Sequence, residues 1–173
     1  KVIVWADDTT RYYGDISAQA GAQSGDGGFV EVSGKKSLLM RGGVDLTAAN
    51  GTTGQLLVDP QDIYIVDAAA ADDGATADAV FGTATSTDYT FSDDHIETLL
   101  TSANLTLQAE RDIYVNEDID TSAGNYALSL QADNNINLNA DFNIDGALSL
   151  LADVDGVGGG GILVPMLTSI YLA

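Results

Sequence analysis

Asp141-Phe-Asn143-Ile-Asp145-Gly146 sets oxygen-bearing side chains at alternate positions ahead of a glycine. That is the first half of a calcium loop, in which alternating oxygens ligate a hard cation. The bidentate Glu that would close such a loop is replaced by Ala152. Phe142, Ile144 and Leu148 alternate like a strand, so the ordinary reading sets Asp141, Asn143 and Asp145 facing solvent. These three are the calcium candidates, and calcium is the one cofactor the sequence admits. The acidic turns Glu117-Asp118-Ile-Asp120 and Asp153-Val-Asp155-Gly156 could hold divalent ions loosely.

Paired carboxylates are the other chemistry on offer. Asp7-Asp8, Asp72-Asp73 and Asp93-Asp94 could act as general acid and base, as in β-helical polysaccharide hydrolases. Such enzymes cluster carboxylates across neighbouring coils beside a basic residue, and Arg111 alone stands in the repeat region. The three pairs fall at a strand end, in a loop and in a helix first turn, each with a sufficient structural reason. The single histidine, His95, sits beside Asp94 on an expected helix, and Ser33 lies in a Gly turn without an elbow motif. No catalytic residue is assigned.

Gly156-Val-Gly-Gly-Gly-Gly161 lacks the Lys-Ser/Thr of a phosphate cradle and reads as a flexible turn between coils. Asn50-Gly-Thr52 and Asn104-Leu-Thr106 fit the glycosylation sequon, a pattern common by chance. Tyr12-Tyr13, Tyr64, Tyr114 and Tyr126 could line a sugar-binding face, although outward Tyr on strands is ordinary.

The elements that position these residues come from a repeat. Leu105-Thr-Leu107-Gln-Ala109-Glu-Arg-Asp-Ile113-Tyr-Val115 aligns without a gap to Leu128-Ser-Leu130-Gln-Ala132-Asp-Asn-Asn-Ile136-Asn-Leu138. A third copy begins at Leu148-Ser-Leu150-Leu-Ala152, and Leu56-Leu-Val58-Asp-Pro60-Gln-Asp62-Ile63-Tyr-Ile65 is a shorter cousin. Apolar and polar residues alternate within each copy, the period of a half-buried strand, with a short Asp/Asn-rich corner between strands. A repeat of roughly 20 residues with two or three strands and no helix predicts a coil of a parallel β-helix. Each coil buries its inward row against the coils above and below, at ~4.8 Å per coil, so about six coils make a rod roughly 30 Å long.

One stretch breaks the alternation. Residues 67–104 hold an Ala/Asp/Gly/Thr-rich loop, then Ser92-Asp-Asp-His-Ile-Glu-Thr-Leu-Leu-Thr-Ser. Ser92 as N-cap, acids in the first turn, and Ile96, Leu99 and Leu100 on one face predict a short helix near 93–102, packed on the side of the rod. The layout is therefore β-helix coils over 1–66, a loop-plus-short-helix excursion over 67–104 and β-helix repeats over 105–173.

Composition narrows the functions. The 173 residues carry 26 acidic and 6 basic side chains, a formal charge of -20, with 45% apolar residues. Disorder combines high charge with low hydrophobicity, which this is not. Nucleic acid and anionic lipid would be repelled. Absent Cys removes disulfides, thiol catalysis and cysteine-held metals. No apolar run reaches the ~18 residues that span a bilayer, so no membrane insertion is expected. Lys1 leads straight into the strand-like Val2-Ile3-Val4-Trp5, and the chain reads as a segment of something longer.

Gly25-Asp-Gly-Gly28-Phe29-Val30-Glu31-Val32-Ser33-Gly34-Lys35, Val44-Asp45-Leu46-Thr47-Ala48 and Gly54-Gln-Leu56-Leu57-Val58-Asp59-Pro60 resemble the large filamentous-haemagglutinin-type exoproteins, giant adhesins and haem-acquisition proteins sent out by two-partner secretion. Upstream, Val2-Ile-Val-Trp5-Ala-Asp and Gly14-Asp-Ile16-Ser-Ala18 fit the same pattern. The resemblance is sharp over 1–66 and diffuse over 105–173. It implies an all-β fold, a right-handed parallel β-helix, with an extracellular location and an outer-membrane secretion partner. Absent Cys agrees, since periplasmic disulfides would obstruct threading of an unfolded chain. The expected role is a non-catalytic structural or adhesive segment whose partner is a host or neighbouring-cell surface ligand or carbohydrate. Two rivals are a β-helical carbohydrate-active enzyme and a homopolymeric filament subunit, because strand edges at the rod ends invite end-to-end self-association.

Overall fold

The alternating apolar residues wind into a parallel β-solenoid of about six turns, each adding one strand to each of up to three faces. The computed structural model describes residues 1–68, 89–121, 126–166 and 168–172. The first coil is β1 (Val2–Ala6), β2 (Thr9–Tyr12) and β3 (Ile16–Ser17), and the second is β4 (Phe29–Gly34), β5 (Ser37–Met40) and β6 (Val44–Asp45). The third opens with β7 (Gln55–Asp59) and β8 (Ile63–Val66), then returns as β9 (Tyr89–Ser92) and helix α1 (Asp93–Leu99). Three regular coils follow. They are β10 (Asn104–Ala109), β11 (Ile113–Val115), β12 (Ile119–Thr121); β13 (Leu128–Ala132), β14 (Ile136–Leu138), β15 (Phe142–Ile144); and β16 (Leu148–Ala152), β17 (Ile162–Leu163), β18 (Ile170–Leu172).

The first face is an unbroken parallel sheet in the order β1-β4-β7-β10-β13-β16. Its register matches the internal repeat: Leu105 pairs with Leu128 and Leu107 with Leu130, and Leu128 pairs with Leu148 and Leu130 with Leu150. The shorter copy is in step too, Leu56 against Leu105 and Ile63 against Ile113. Inward rows are closed to solvent at Val30, Leu56, Leu105, Leu128, Ile113 and Ile136. Leu148 and Leu150 also point inward but stay half-buried, because no further coil covers β16 among the described residues.

The third coil departs from the sequence expectation in two ways. Tyr89–Ser92 is a strand of the second face, paired with β8 on the side away from β11 and packed beside β5. The helix ends at Leu99, capped by Leu100, and stands in the wall of the rod, not on its side. The Ser102 carbonyl accepts the Leu46 N–H at 2.9 Å and the Ser102 hydroxyl donates to the Val44 carbonyl at 2.6 Å. From the other coil, the Asp120 N–H donates to Glu97 Oε1 at 2.8 Å. The α1 segment thus takes the third-face place between β6 and β12. Ile96, Leu99 and Leu100 supply the apolar surface an inward strand row would have given, and all three are buried in the common core. The expected cap is present, the Ser92 hydroxyl accepting the His95 N–H at 3.1 Å. The expected loop with Asp72-Asp73 lies, from residue 69 to 88, outside the described residues.

Candidate functional site

Parallel coils leave main-chain N–H groups pointing along the rod at each corner, where the strands end and ladder bonds stop. The Asp and Asn residues answer that need. Asp62 Oδ1 accepts the Asp112 N–H at 3.1 Å, Asp112 Oδ1 the Asn135 N–H at 2.9 Å, and Asn135 Oδ1 the Gly161 N–H at 3.1 Å. Four coils are linked through one corner. A second line runs along the third face: Asp118 Oδ1 accepts the Asp141 N–H and Asp141 Oδ1 the Ser169 N–H, both at 2.7 Å. Asp15 and Asp26 do the same for Gly43 and Thr52, each at 2.8 Å.

The calcium candidates stand on this third face. Asp141 and Asn143 line an open groove of roughly 460 Å³ with Asp118, Asp120 and Tyr171. Asn143 Nδ2 donates to Asp120 Oδ1 at 3.2 Å, while the Asp145 N–H donates to the Thr121 hydroxyl at 3.1 Å. Asp145 is not among the groove's lining residues. Phe142 and Ile144 point inward and are fully buried. In a calcium loop the glycine makes the sharp turn. Gly146 is not in the left-handed region, and a Cβ there would lie 2.0 Å from the Tyr126 carbonyl oxygen. Close stacking of coils therefore accounts for this glycine. Among the described residues, no three His, Asp or Glu side chains group closely enough to hold a metal ion.

The two described carboxylate pairs differ in role. Asp8 makes a 2.8 Å ion pair with Lys36 at an exposed turn. Asp93 occupies the first turn of α1, its pKa raised first by burial and then by the Asp94 and Asp67 charges. Glu97 is raised as well, by burial and by Asp93, Asp94 and Asp120. His95 lies near Phe91, ring centroids 6.1 Å apart, and Ser33 is buried with its hydroxyl on Glu31 Oε1 at 3.2 Å.

Among the described residues, Asp59 is the most displaced carboxyl. Burial, then the charges of Glu110, Glu31 and Asp133, push it up to about 6. Its Oδ1 is closed to solvent and without a hydrogen bond among the described residues. In the sequence Asp59 stood out only as part of the Leu56-Leu57-Val58-Asp59-Pro60 block. The signal available was Glu31, two residues from the inward-outward partner Ser33 on the adjoining strand, since Ser33 pairs with Asp59.

Arg111, the sole cation of the repeat region, is engaged with buried Asp62: Nε lies 3.2 Å from Oδ1 and Nη2 donates to Oδ2. The tyrosines divide. Tyr64 and Tyr114 stack on one another at 4.8 Å and 5°, Tyr13 receives the Arg41 guanidinium at 5.6 Å, and Tyr12 packs against the core. Asn104 uses its amide between coils, donating to the Thr53 carbonyl at 2.9 Å and accepting the Ala127 N–H at 2.9 Å, whereas Asn50 is exposed. The glycine run lies within the last coil, between β16 and β17, and not between coils. Gly156 and Gly159 adopt φ of 68° and 104°, which a side chain would oppose.

The charge is also uneven along the rod. Lys1, Arg11, Lys35, Lys36 and Arg41 fall within the first two coils, and Arg111 is the one Lys or Arg beyond them. The acidic excess therefore falls after Asp45 in the sequence. No family model, no curated protein and no solved structure matches this chain.

Proposed function

We propose that the chain is a structural and adhesive rod segment of a secreted, filamentous-haemagglutinin-type surface exoprotein, without catalysis of its own. The observation that carries the reading is the corner line Asp62–Asp112–Asn135–Gly161. It gives the acidic side chains a structural task that a rod needs and an active site does not. The near-neutral first two coils are the end at which an anionic cell surface or carbohydrate is least repelled. An outer-membrane secretion partner for the parent protein and an extracellular location belong to the same proposal. A rod can be lengthened at the edges of β1 and β16 that no strand covers among the described residues, by further polypeptide or by a second copy.

The test is retention of the purified protein on bacterial and host cell surfaces, with electron micrographs of the same preparation. Straight rods that are retained in a salt-sensitive manner support the proposal. Particles without rod shape, or no retention on any surface, would overturn it.

A further inference from the structure

We propose that Asn50-Gly51 is a self-modification site, at which native protein loses ammonia and the seam between the second and third coils loosens irreversibly. Asn50 and Gly51 sit in an exposed turn between β6 and β7. Asn-Gly suits such a turn, and the glycine offers its amide nitrogen no side-chain shield. Among the described residues, no hydrogen bond engages the Gly51 N–H. The Asn50 amide is held by one long bond, Nδ2 to the Ala22 carbonyl at 3.3 Å.

The Gly51 nitrogen attacks Asn50 Cγ. The new N–Cγ bond forms as Cγ–Nδ2 breaks, and Nδ2 leaves as ammonia with the proton given up by Gly51. Water then opens the five-membered imide. Addition at Cγ leaves Asp, and addition at the Asn50 main-chain carbonyl leaves isoaspartate, with the chain routed through the former side chain. No oxidant or reductant is needed.

The surroundings translate this small change into a structural one. The turn lies hard on the coil below: a Cβ on Gly51 would fall 2.0 Å from the Gly25 carbonyl oxygen and 2.8 Å from Asp26 Oδ1. Next to it, Asp26 accepts the Thr52 N–H at 2.8 Å and the Thr52 carbonyl accepts the Gly27 N–H at 2.9 Å. An added methylene in the main chain cannot keep that stack, so isoaspartate breaks both bonds. The Asp product instead sets a carboxylate against the Ala22 carbonyl, where the amide had donated.

The experiment incubates the whole native chain in mildly alkaline buffer and maps peptides by mass, beside the same chain in denaturant and an Asn50→Gln variant. The proposal expects native Asn50 to gain the mass of ammonia exchanged for water at a rate within tenfold of the denatured chain. Asp and isoaspartate should both form, Asn50→Gln should stay unchanged, and aged wild type should melt lower than fresh. Retention of the Asn50 amide in native protein while the denatured chain converts would overturn it. So would conversion that leaves the melting temperature unmoved.

Discussion

Arg111 clasps Asp62 across a coil boundary, its guanidinium donating to both carboxylate oxygens while the Asp112 N–H donates to Oδ1. Asp62 is buried and the Arg111 side chain is about half exposed. The pair is therefore a buried anion supplied with donors from the next coil. Removing one partner of such a pair leaves an uncompensated charge.

Arg111→Ala should destabilise the rod by about 2–4 kcal/mol, the lower end reflecting the exposed guanidinium and the remaining Asp112 N–H. Arg111→Lys should recover only part of this, since an ammonium cannot make the forked contact. Denaturant midpoints at constant slope measure both. A loss below about 0.5 kcal/mol for Arg111→Ala, typical of an exposed pair, would show that Asp62 is solvated.

Leu130 and Leu150 occupy equivalent inward positions, paired in register, but Leu130 is closed to solvent and Leu150 is half-buried. Leu130→Ala should cost about 2–5 kcal/mol through lost transfer energy and its cavity, and Leu150→Ala roughly half as much. Equal losses by thermal or denaturant unfolding would mean that β16 is covered in solution.

The inward rows, the corner residues and the Ser92 cap were legible in the sequence because each depends on near neighbours. Leu105 and Leu128 announce a register by themselves, since a shift of one residue would turn every inward side chain outward. The helix was visible in Ser92, Ile96 and Leu99, but its place in the wall was not. That place depends on contacts from Ser102 to Val44 and from Glu97 to Asp120, residues far apart in sequence. β9 was missed because four residues, Tyr89-Thr-Phe91-Ser, show too little alternation to separate from a loop. At the candidate site, Asp141 and Asn143 were singled out correctly as outward residues, while their task of receiving and making bonds between coils needed the stacking itself. Asp59 was invisible because its pKa is raised first by burial and then by acids on other strands and corners, neither of which the local sequence shows.

Asp59 makes stability depend on pH with a definite sign. Its folded pKa of about 6 lies above the ordinary carboxyl value of 3.8, so the folded state holds its proton more tightly than the unfolded chain. The resulting contribution is fully present below about pH 4 and is lost as pH rises through about 6. Asp59→Asn should therefore stabilise the protein at neutral pH, by about 1 kcal/mol after allowance for partial exposure, and leave it unchanged near pH 4. Unfolding curves of both proteins across that range read the difference. A gap that widens toward acid would reverse the assignment.

Salt should stabilise the rod, because nearly all the excess negative charge falls after Asp45 and screening acts over about 8 Å at physiological ionic strength. Calcium should add little beyond sodium at equal ionic strength, since Asp141 Oδ1 already accepts the Ser169 N–H and Asp118 Oδ1 the Asp141 N–H. A calcium-specific rise in melting temperature that Asp145→Asn abolishes would show that residues 141–146 bind the ion.

The central claim is that the acidic residues hold coils together and perform no turnover. The most direct measurement incubates the purified protein with neutral and acidic polysaccharides and follows their chain length. The account predicts no shortening on any of them, in wild type or in Asp59→Asn and Asp120→Asn. Shortening that a single one of these substitutions abolishes would contradict it and make the rod an enzyme.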